Sequence, residues 1–170
     1  MNSKRLVRCA MVAALYVVLC LVLAPFSFGP IQVRVAEILC LLPVFGAEYI
    51  VAVTLGCFLS NLLASTMVDV VFGTVATLLA CLVTYAVRNM RVGKHRLAIP
   101  SSLPPVLFNA VIVGAIELTF FLPDVTGSLS LALLNALTVG IGEVISCGIL
   151  GVLLVRLIET NQGLRRLFFE

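Results

Sequence analysis

Long apolar runs, punctuated by prolines, glycines and short basic clusters, organise this chain. The first run covers 6–24 and stops at APFSFGP, where two prolines and a glycine end helical periodicity. IQVRVAE follows, then apolar residues to Phe45, and a further apolar stretch, YIVAVTLGCFLSNLLA, begins after Glu48. Three more runs end at a basic linker, at LPDVTG and near Ile158. Read as helices, these segments span about 6–24, 33–45, 48–64, 68–87, 101–121 and 128–158, within a single membrane domain covering 1–170. The opening run is longer than the apolar core of a secretion signal and lacks an A-x-A cleavage site, so it reads as a retained first helix.

Composition names the solvent. Of the 170 residues 62% are hydrophobic and 11% charged, against roughly 25% charged in a soluble domain. The mean hydropathy is +1.21. Too little polar material is present to cover a water-facing surface, and a bilayer-spanning helix needs about 20 mostly apolar residues. The expected fold is an all-α integral membrane protein in a cell membrane.

Charge placement sets the expected topology. Lys4, Arg5 and Arg8 open the chain, Arg88, Arg91, Lys94 and Arg96 share the linker RNMRVGKHR, and Arg156, Arg165 and Arg166 close it. Between apolar spans such clusters follow the positive-inside bias, which points away from a nucleic-acid partner. If the first two clusters both face the cytoplasm, an even number of crossings separates them. The 35–64 region then makes two crossings, turning at Pro43 and Gly46, with a short, tilted or broken second span. Six transmembrane helices with both termini cytoplasmic satisfy all three clusters. The outer connections become 25–34, 65–68 and 122–128.

Against this background, polar residues inside the runs stand out. LFNAVIVGAIEL (107–118) carries Asn109 and Glu117, and LLNALTVGIGEV (133–144) repeats it: Asn109, Ala110, Val113, Gly114 and Glu117 match Asn135, Ala136, Val139, Gly140 and Glu143. Eight residues of α-helix advance about 12 Å and turn about 80°, so each Asn and Glu share a broad face at different depths. Consecutive spans run antiparallel, which brings the Asn of one toward the Glu of the other. Glu117 and Asn135 are expected near the outer end, Asn109 and Glu143 deeper, with Gly114 and Gly140 letting the backbones approach. Thr138, Gly142 and Ser146 fall on nearly the side of Asn135.

Two readings compete. An ionisable group at mid-membrane costs about 2.5–3.5 kcal/mol, whereas an interhelical hydrogen bond returns roughly 0.6–2 kcal/mol. Structural glue therefore leaves a deficit, and a polar cavity awaiting a ligand accounts for it. Gln32, Arg34 and Glu37 entering the second span, Asn61 in the third and Asp69 opening the fourth would join the same outer pocket. Taken singly, Asp69 has the alternative of capping a helix, and Arg34 of pairing with Glu37.

Other chemistry finds no support. There is no GxxxxGK[ST], HExxH or GxSxG, and His95 sits in the basic linker. An enzyme, a bound cofactor and intrinsic ATP use are not expected. Cys9, Cys20, Cys40, Cys57, Cys81 and Cys147 lack CxxC spacing and lie in apolar stretches, which argues against a disulfide framework or a metal site. Ala10 and Ala14 make a small-xxx-small face on the first helix, for docking another helix or for packing within the bundle.

Six spans in a chain of this length, AxxxA in the first helix and no ATPase motif resemble the substrate-binding S components of energy-coupling-factor (ECF) vitamin transporters. More narrowly, IQVRVAEILCLLP (31–43), GCFLSNLL (56–63) and DVVFGTVATLLAC (69–81) resemble the QueT family, carriers of queuosine precursors. The resemblance implies a prokaryotic plasma membrane and a 7-deazaguanine base as solute. It also implies a transmembrane coupling subunit and two ATPase subunits as partners, with Ala10 and Ala14 matching the docking motif. Glu117 and Asn135 are the first candidates for substrate contact, then Glu143, Asn109, Asp69 and Glu37, with Gln32, Arg34 and Asn61 on the loop side. A carboxylate can accept from the base N1–H and exocyclic amine, an amide can donate and accept, and a second carboxylate can pair with an aminomethyl cation. Another vitamin S component and a stand-alone proton-coupled carrier are the alternatives.

Overall fold

The computed structural model describes residues 3–27, 33–92, 95–96, 98–121 and 127–169. Gln32, Lys94 and most of the 122–128 connection lie outside them. Helix α1 (Ser3–Ser27) begins with Lys4, Arg5 and Arg8, the wrong sign for a helix N-terminus, as expected where topology rather than the dipole places charge. Its buried stripe is Cys9, Val12, Ala13 and Tyr16, while Leu6, Val7, Met11, Leu15, Val18 and Val22 are exposed on other faces. An apolar outer face on a helix with an apolar inner face is what lipid permits and water does not.

A 3-10 helix (Val35–Val44) follows, with eight of its residues buried. The region expected to form a short second span takes an unusual form. In place of a lipid-facing helix the chain threads an enclosed strut through the middle of the bundle, against α1, the next three helices and the 144–151 segment. The 3-10 rise of about 2.0 Å per residue stretches ten residues over about 20 Å, where an α-helix would cover about 15 Å. The turn at Phe45–Ala47 leads into α2 (Glu48–Ala64). Gly56 makes the α1–α2 contact possible: a Cβ there would lie 2.7 Å from Tyr16 Cβ.

Helix α3 (Met67–Ala86) is capped by Thr66, whose hydroxyl accepts from the Asp69 N–H at 3.2 Å. Its buried stripe is mostly small: Gly73, Ala76, Thr77, Ala80, Cys81 and Thr84. A short 3-10 turn (Val87–Asn89) and a two-residue antiparallel ladder, β1 (Arg91–Val92) with β2 (His95–Arg96), lead to α4 (Ala98–Phe108). Pro105 removes the N–H that would bond the Ser101 carbonyl. Thr84 Oγ1 donates to that carbonyl instead, at 3.1 Å.

The chain then changes winding. Asn109–Phe121 is a π-helix continuing α4, and Val144–Gly151 is a second π-helix between α5 (Leu129–Glu143) and α6 (Val152–Thr160). The first runs through the Asn109–Glu117 copy of the repeat, whereas the Asn135–Glu143 copy is α-helical and the second π segment begins immediately after it; π winding is frequent at functional sites. The wider winding also displaces Glu117 from the α-helical angle reckoned from sequence. Helix α7 (Gln162–Phe169), not anticipated from the hydrophobic runs, is capped by Asn161 and folds back under the bundle. Its last carbonyls accept from Arg8 and Tyr49, each at 3.0 Å, and the Phe168 ring packs on Phe45 and Tyr49. The starts of α1 and α2 and the end of α7 therefore share one end of the molecule, where Arg5 also approaches Glu48.

Four helical stretches, Ser3–Leu23, Met67–Asn89, Pro100–Phe121 and Leu129–Thr160, are long and apolar enough to cross a bilayer, and Val35–Val44 and Glu48–Ala64 are shorter apolar helices. The chain is a multi-pass helical membrane protein.

Candidate functional site

Two polar clusters lie inside this apolar bundle. The first sits at the end opposite the chain termini, where the start of α3 meets the end of α2. Arg34 Nη2 donates to Asp69 Oδ1 and Oδ2 at 3.2 and 3.4 Å. Ser65 Oγ donates to the same carboxylate, and Asn61 Nδ2 donates to the Asp69 carbonyl at 3.1 Å. The alternative pairing of Arg34 with Glu37 is therefore not the one adopted. Gly73 gives this cluster its room, since a Cβ there would lie 2.8 Å from Asn61 Nδ2 and 2.9 Å from Asp69 Oδ1. Glu117 is buried beside it, with Asp69 and Arg34 as its charged neighbours and Oε2 without a hydrogen-bond partner.

The second cluster lies at mid-depth. Glu37, in the 3-10 strut, accepts from Tyr16 Oη at 2.5 Å and from Cys40 Sγ at 2.7 Å, so both its carboxylate oxygens are engaged. Cys147 Sγ donates to the Glu37 carbonyl at 3.1 Å and more weakly to Glu143 Oε2 at 3.4 Å. Glu143 is fully buried, and its other oxygen has no partner. Asn109 neighbours Glu143 without hydrogen-bond geometry, and neither its amide nitrogen nor its oxygen has a partner. Ser146 Oγ, one turn on from Glu143, is likewise buried and unpaired. Arg34 is the cationic neighbour that both glutamates share.

Of the residues singled out from sequence, Arg34, Asp69, Asn61 and Glu117 thus come together at one end, and Glu37, Glu143 and Asn109 in the middle. Gln32 lies outside the described residues. Asn135 is half-buried and donates to Thr119 Oγ1 at 3.1 Å, so its amide is committed to a partner on the facing helix. Gly114 brings these helices close: a Cβ there would lie 2.8 Å from Ala136 Cα and from the Asn135 carbonyl. Ala10 and Ala14 lie on the exposed face of α1, away from both clusters. Sequence reasoning missed Tyr16, Cys40, Cys147, Ser65 and Thr119. Only Tyr16, a lone phenol in an apolar run, carried any signal, because a buried Tyr hydroxyl needs a partner. The cysteines are all free, but two of them serve as weak donors to carboxylates rather than as plain apolar filler.

What can this arrangement do? Four carboxylates face a single guanidinium among the described residues of the two clusters, in a bundle surrounded by apolar surface. Buried polar atoms without partners cost roughly 1–3 kcal/mol each. Besides those of the two clusters, only Thr54 Oγ1 and Thr74 Oγ1 are buried without a partner among the described residues, so most of the unsatisfied atoms gather in the clusters.

A family profile described as QueT transporter matches residues 6–160. The protein named Queuosine precursor transporter QueT from Lactococcus lactis subsp. cremoris (strain MG1363) is 49% identical over 75 residues, which is 43% of this chain and 44% of that protein. The matched region thus spans less than half the length of that curated relative. No solved structure matches. With the family profile running through every segment that builds the two clusters from Arg34 to Ser146, the chain belongs to the QueT transporter family, a family of transporters rather than of enzymes.

Proposed function

We propose that this protein is the substrate-capturing S component of an ECF-type importer, and that its solute is a queuosine precursor carrying a 7-deazaguanine base. The substrate class follows the name of the Lactococcus relative and the chemistry of the clusters. The observation that carries the reading is the set of buried, unpartnered polar atoms on Asn109, Glu117, Glu143 and Ser146. A 2-amino-4-oxo pyrimidine ring presents adjacent N–H donors and a carbonyl acceptor, which suits carboxylate and carboxamide groups. An aminomethyl substituent adds a cation where carboxylates outnumber the guanidinium. Arg34, Asp69 and Asn61 organise the entrance, and Asn135 positions the facing helix through Thr119.

In this reading the chain crosses a prokaryotic plasma membrane six times. The basic end shared by α1, α2 and α7 faces the cytoplasm, and the Arg34–Asp69 end faces outward. The 3-10 strut is the short second crossing, tolerated because protein rather than lipid surrounds it. The exposed Ala10–Ala14 face is the docking surface for a transmembrane coupling subunit, which works with two ATPase subunits. A thermal-shift screen of detergent-purified protein against 7-deazaguanines, guanine, riboflavin, biotin and thiamine tests the substrate assignment. Stabilisation by a deazaguanine alone is expected, and stabilisation by a different vitamin would replace it. Co-purification with ATPases separates the importer from a stand-alone proton-coupled carrier.

A further inference from the structure

The unsatisfied atoms are not spread evenly through the two clusters. In the Arg34–Asp69 group Glu117 Oε2 is the one such atom among the described residues: the Asp69 carboxylate has an ion pair and a hydroxyl donor, and Asn61 has a carbonyl to donate to. Glu37 has a donor on each oxygen. By contrast, Glu143 Oε1, both polar atoms of Asn109 and Ser146 Oγ have none, and all three residues are at most 1% exposed. Glu143 and Ser146 are neighbours along one helix, three residues apart, and Asn109 faces Glu143 from the adjoining one. Together they present a charged acceptor, an amide that donates and accepts, and a hydroxyl that does either.

Resting on the reading of this protein as a deazaguanine carrier, the geometry points to an assignment within the site: Asn109, Glu143 and Ser146 form an inner subsite that reads the hydrogen-bonding edge of the base. Glu143 accepts from the ring N–H and the exocyclic amine, and Asn109 Nδ2 donates to the ring carbonyl. Ser146 completes the contact at whichever oxygen or amine lies beside it. Glu117 has Asp69 beside it at the outer end and is left to meet a cationic substituent. Selectivity then resides deep in the bundle, and the outer cluster holds the entrance in shape. The physical logic is that of a polar pocket that rejects an analogue lacking the matching group, because its own buried atoms stay unpaired.

The competing occupant is ordered water, which commonly satisfies about three such groups at a buried site. Water would leave the choice of base to other residues. The decisive experiment measures affinities of the purified full chain for 7-aminomethyl-7-deazaguanine and for the same compound without its 2-amino group. Wild type is expected to prefer the amino compound by about 10–100-fold, the range for a hydrogen bond to a charged partner. Glu143→Gln turns an acceptor toward a donor and should reduce that preference to within about threefold, with the unliganded melting temperature kept. Ser146→Ala, a smaller change, should weaken the amino compound by about three- to tenfold. Equal wild-type affinity for the two compounds overturns the subsite, and needs no variant to fold. A Glu143→Gln protein that retains the full preference overturns it as well. If wild type binds neither compound while binding an unrelated vitamin, the substrate reading itself fails and the subsite falls with it.

Discussion

Two helical segments carry the same residues at the same spacing and use them differently. In the segment ending at Phe121, Asn109 is buried and unpaired, and Gly114 is pressed against the backbone of the opposite helix. In the segment beginning at Leu129, the equivalent Asn135 is half-buried and bonded to Thr119, and the equivalent Gly140 meets only the Ala110 methyl at an ordinary 3.5 Å. The glutamates differ as well. Glu117 shares the outer end with the Asp69–Arg34 pair, whereas Glu143 shares the middle with Glu37 and Cys147. A motif therefore supplies chemical types, and its surroundings decide whether each type is paired or left without a partner.

The sharpest way to break this comparison is to remove the two asparagines in turn. Asn109→Leu deletes two orphaned atoms, so the unliganded protein should melt at the same temperature or higher, since an unsatisfied buried group costs about 1–3 kcal/mol. Ligand affinity should fall by about 100-fold, measured by equilibrium binding on the purified variant, if the lost bonds are worth the upper end of that range. A melting temperature several degrees lower would mean that Asn109 has a structural partner after all. Gly114→Ala comes next. Its Cβ would sit 2.8 Å from backbone atoms that cannot rotate away, and overpacking of this kind costs about 1–3 kcal/mol, visible as reduced resistance to a denaturing detergent.

Asn135→Leu should have a smaller effect. It loses one interhelical hydrogen bond, worth about 0.6 kcal/mol in membrane bundles, and Thr119 keeps its contact with the Gly114 carbonyl at 3.5 Å. Binding should weaken by no more than about threefold on that scale. Gly140→Ala should be the mildest of the four: with ordinary contact distances and an Ala helix propensity about 1 kcal/mol better than Gly, stability should be unchanged or slightly raised. Equal penalties at Gly114 and Gly140 would show that the two halves of the repeat pack alike, and would remove the basis of the comparison.

Parts of this picture were legible without coordinates. Apolar runs in a chain with 11% charged residues leave lipid as the surrounding solvent, and an intramembrane Asn or Glu is conspicuous because hydrocarbon penalises it. The helix in which Asp69 is the third residue could be read from T-x-x-D, where Thr66 caps. The 3-10 strut was less legible. Hydrophobicity marks VAEILCLLPV as buried, but whether protein or lipid surrounds it depends on how many helices gather round it, which no local pattern encodes. The π winding through the first copy of the repeat and just after the second escaped for the same reason: it is a response to packing and has no composition of its own.

The amino-acid sequence by itself determined that the chain is helical, that it lives in a bilayer, and that a few acids and amides must sit where water is scarce. Those conclusions need only the transfer energies of side chains and the period of a helix. Tertiary structure decided which of those polar groups are satisfied. Tyr16 reaches Glu37, Arg34 reaches Asp69, and Thr119 takes Asn135, each pairing joining residues 16 or more positions apart. Hydrogen bonds act over about 3 Å, so the difference between a tethered polar group and an unpaired one is set by contacts at a distance that sequence separation cannot measure.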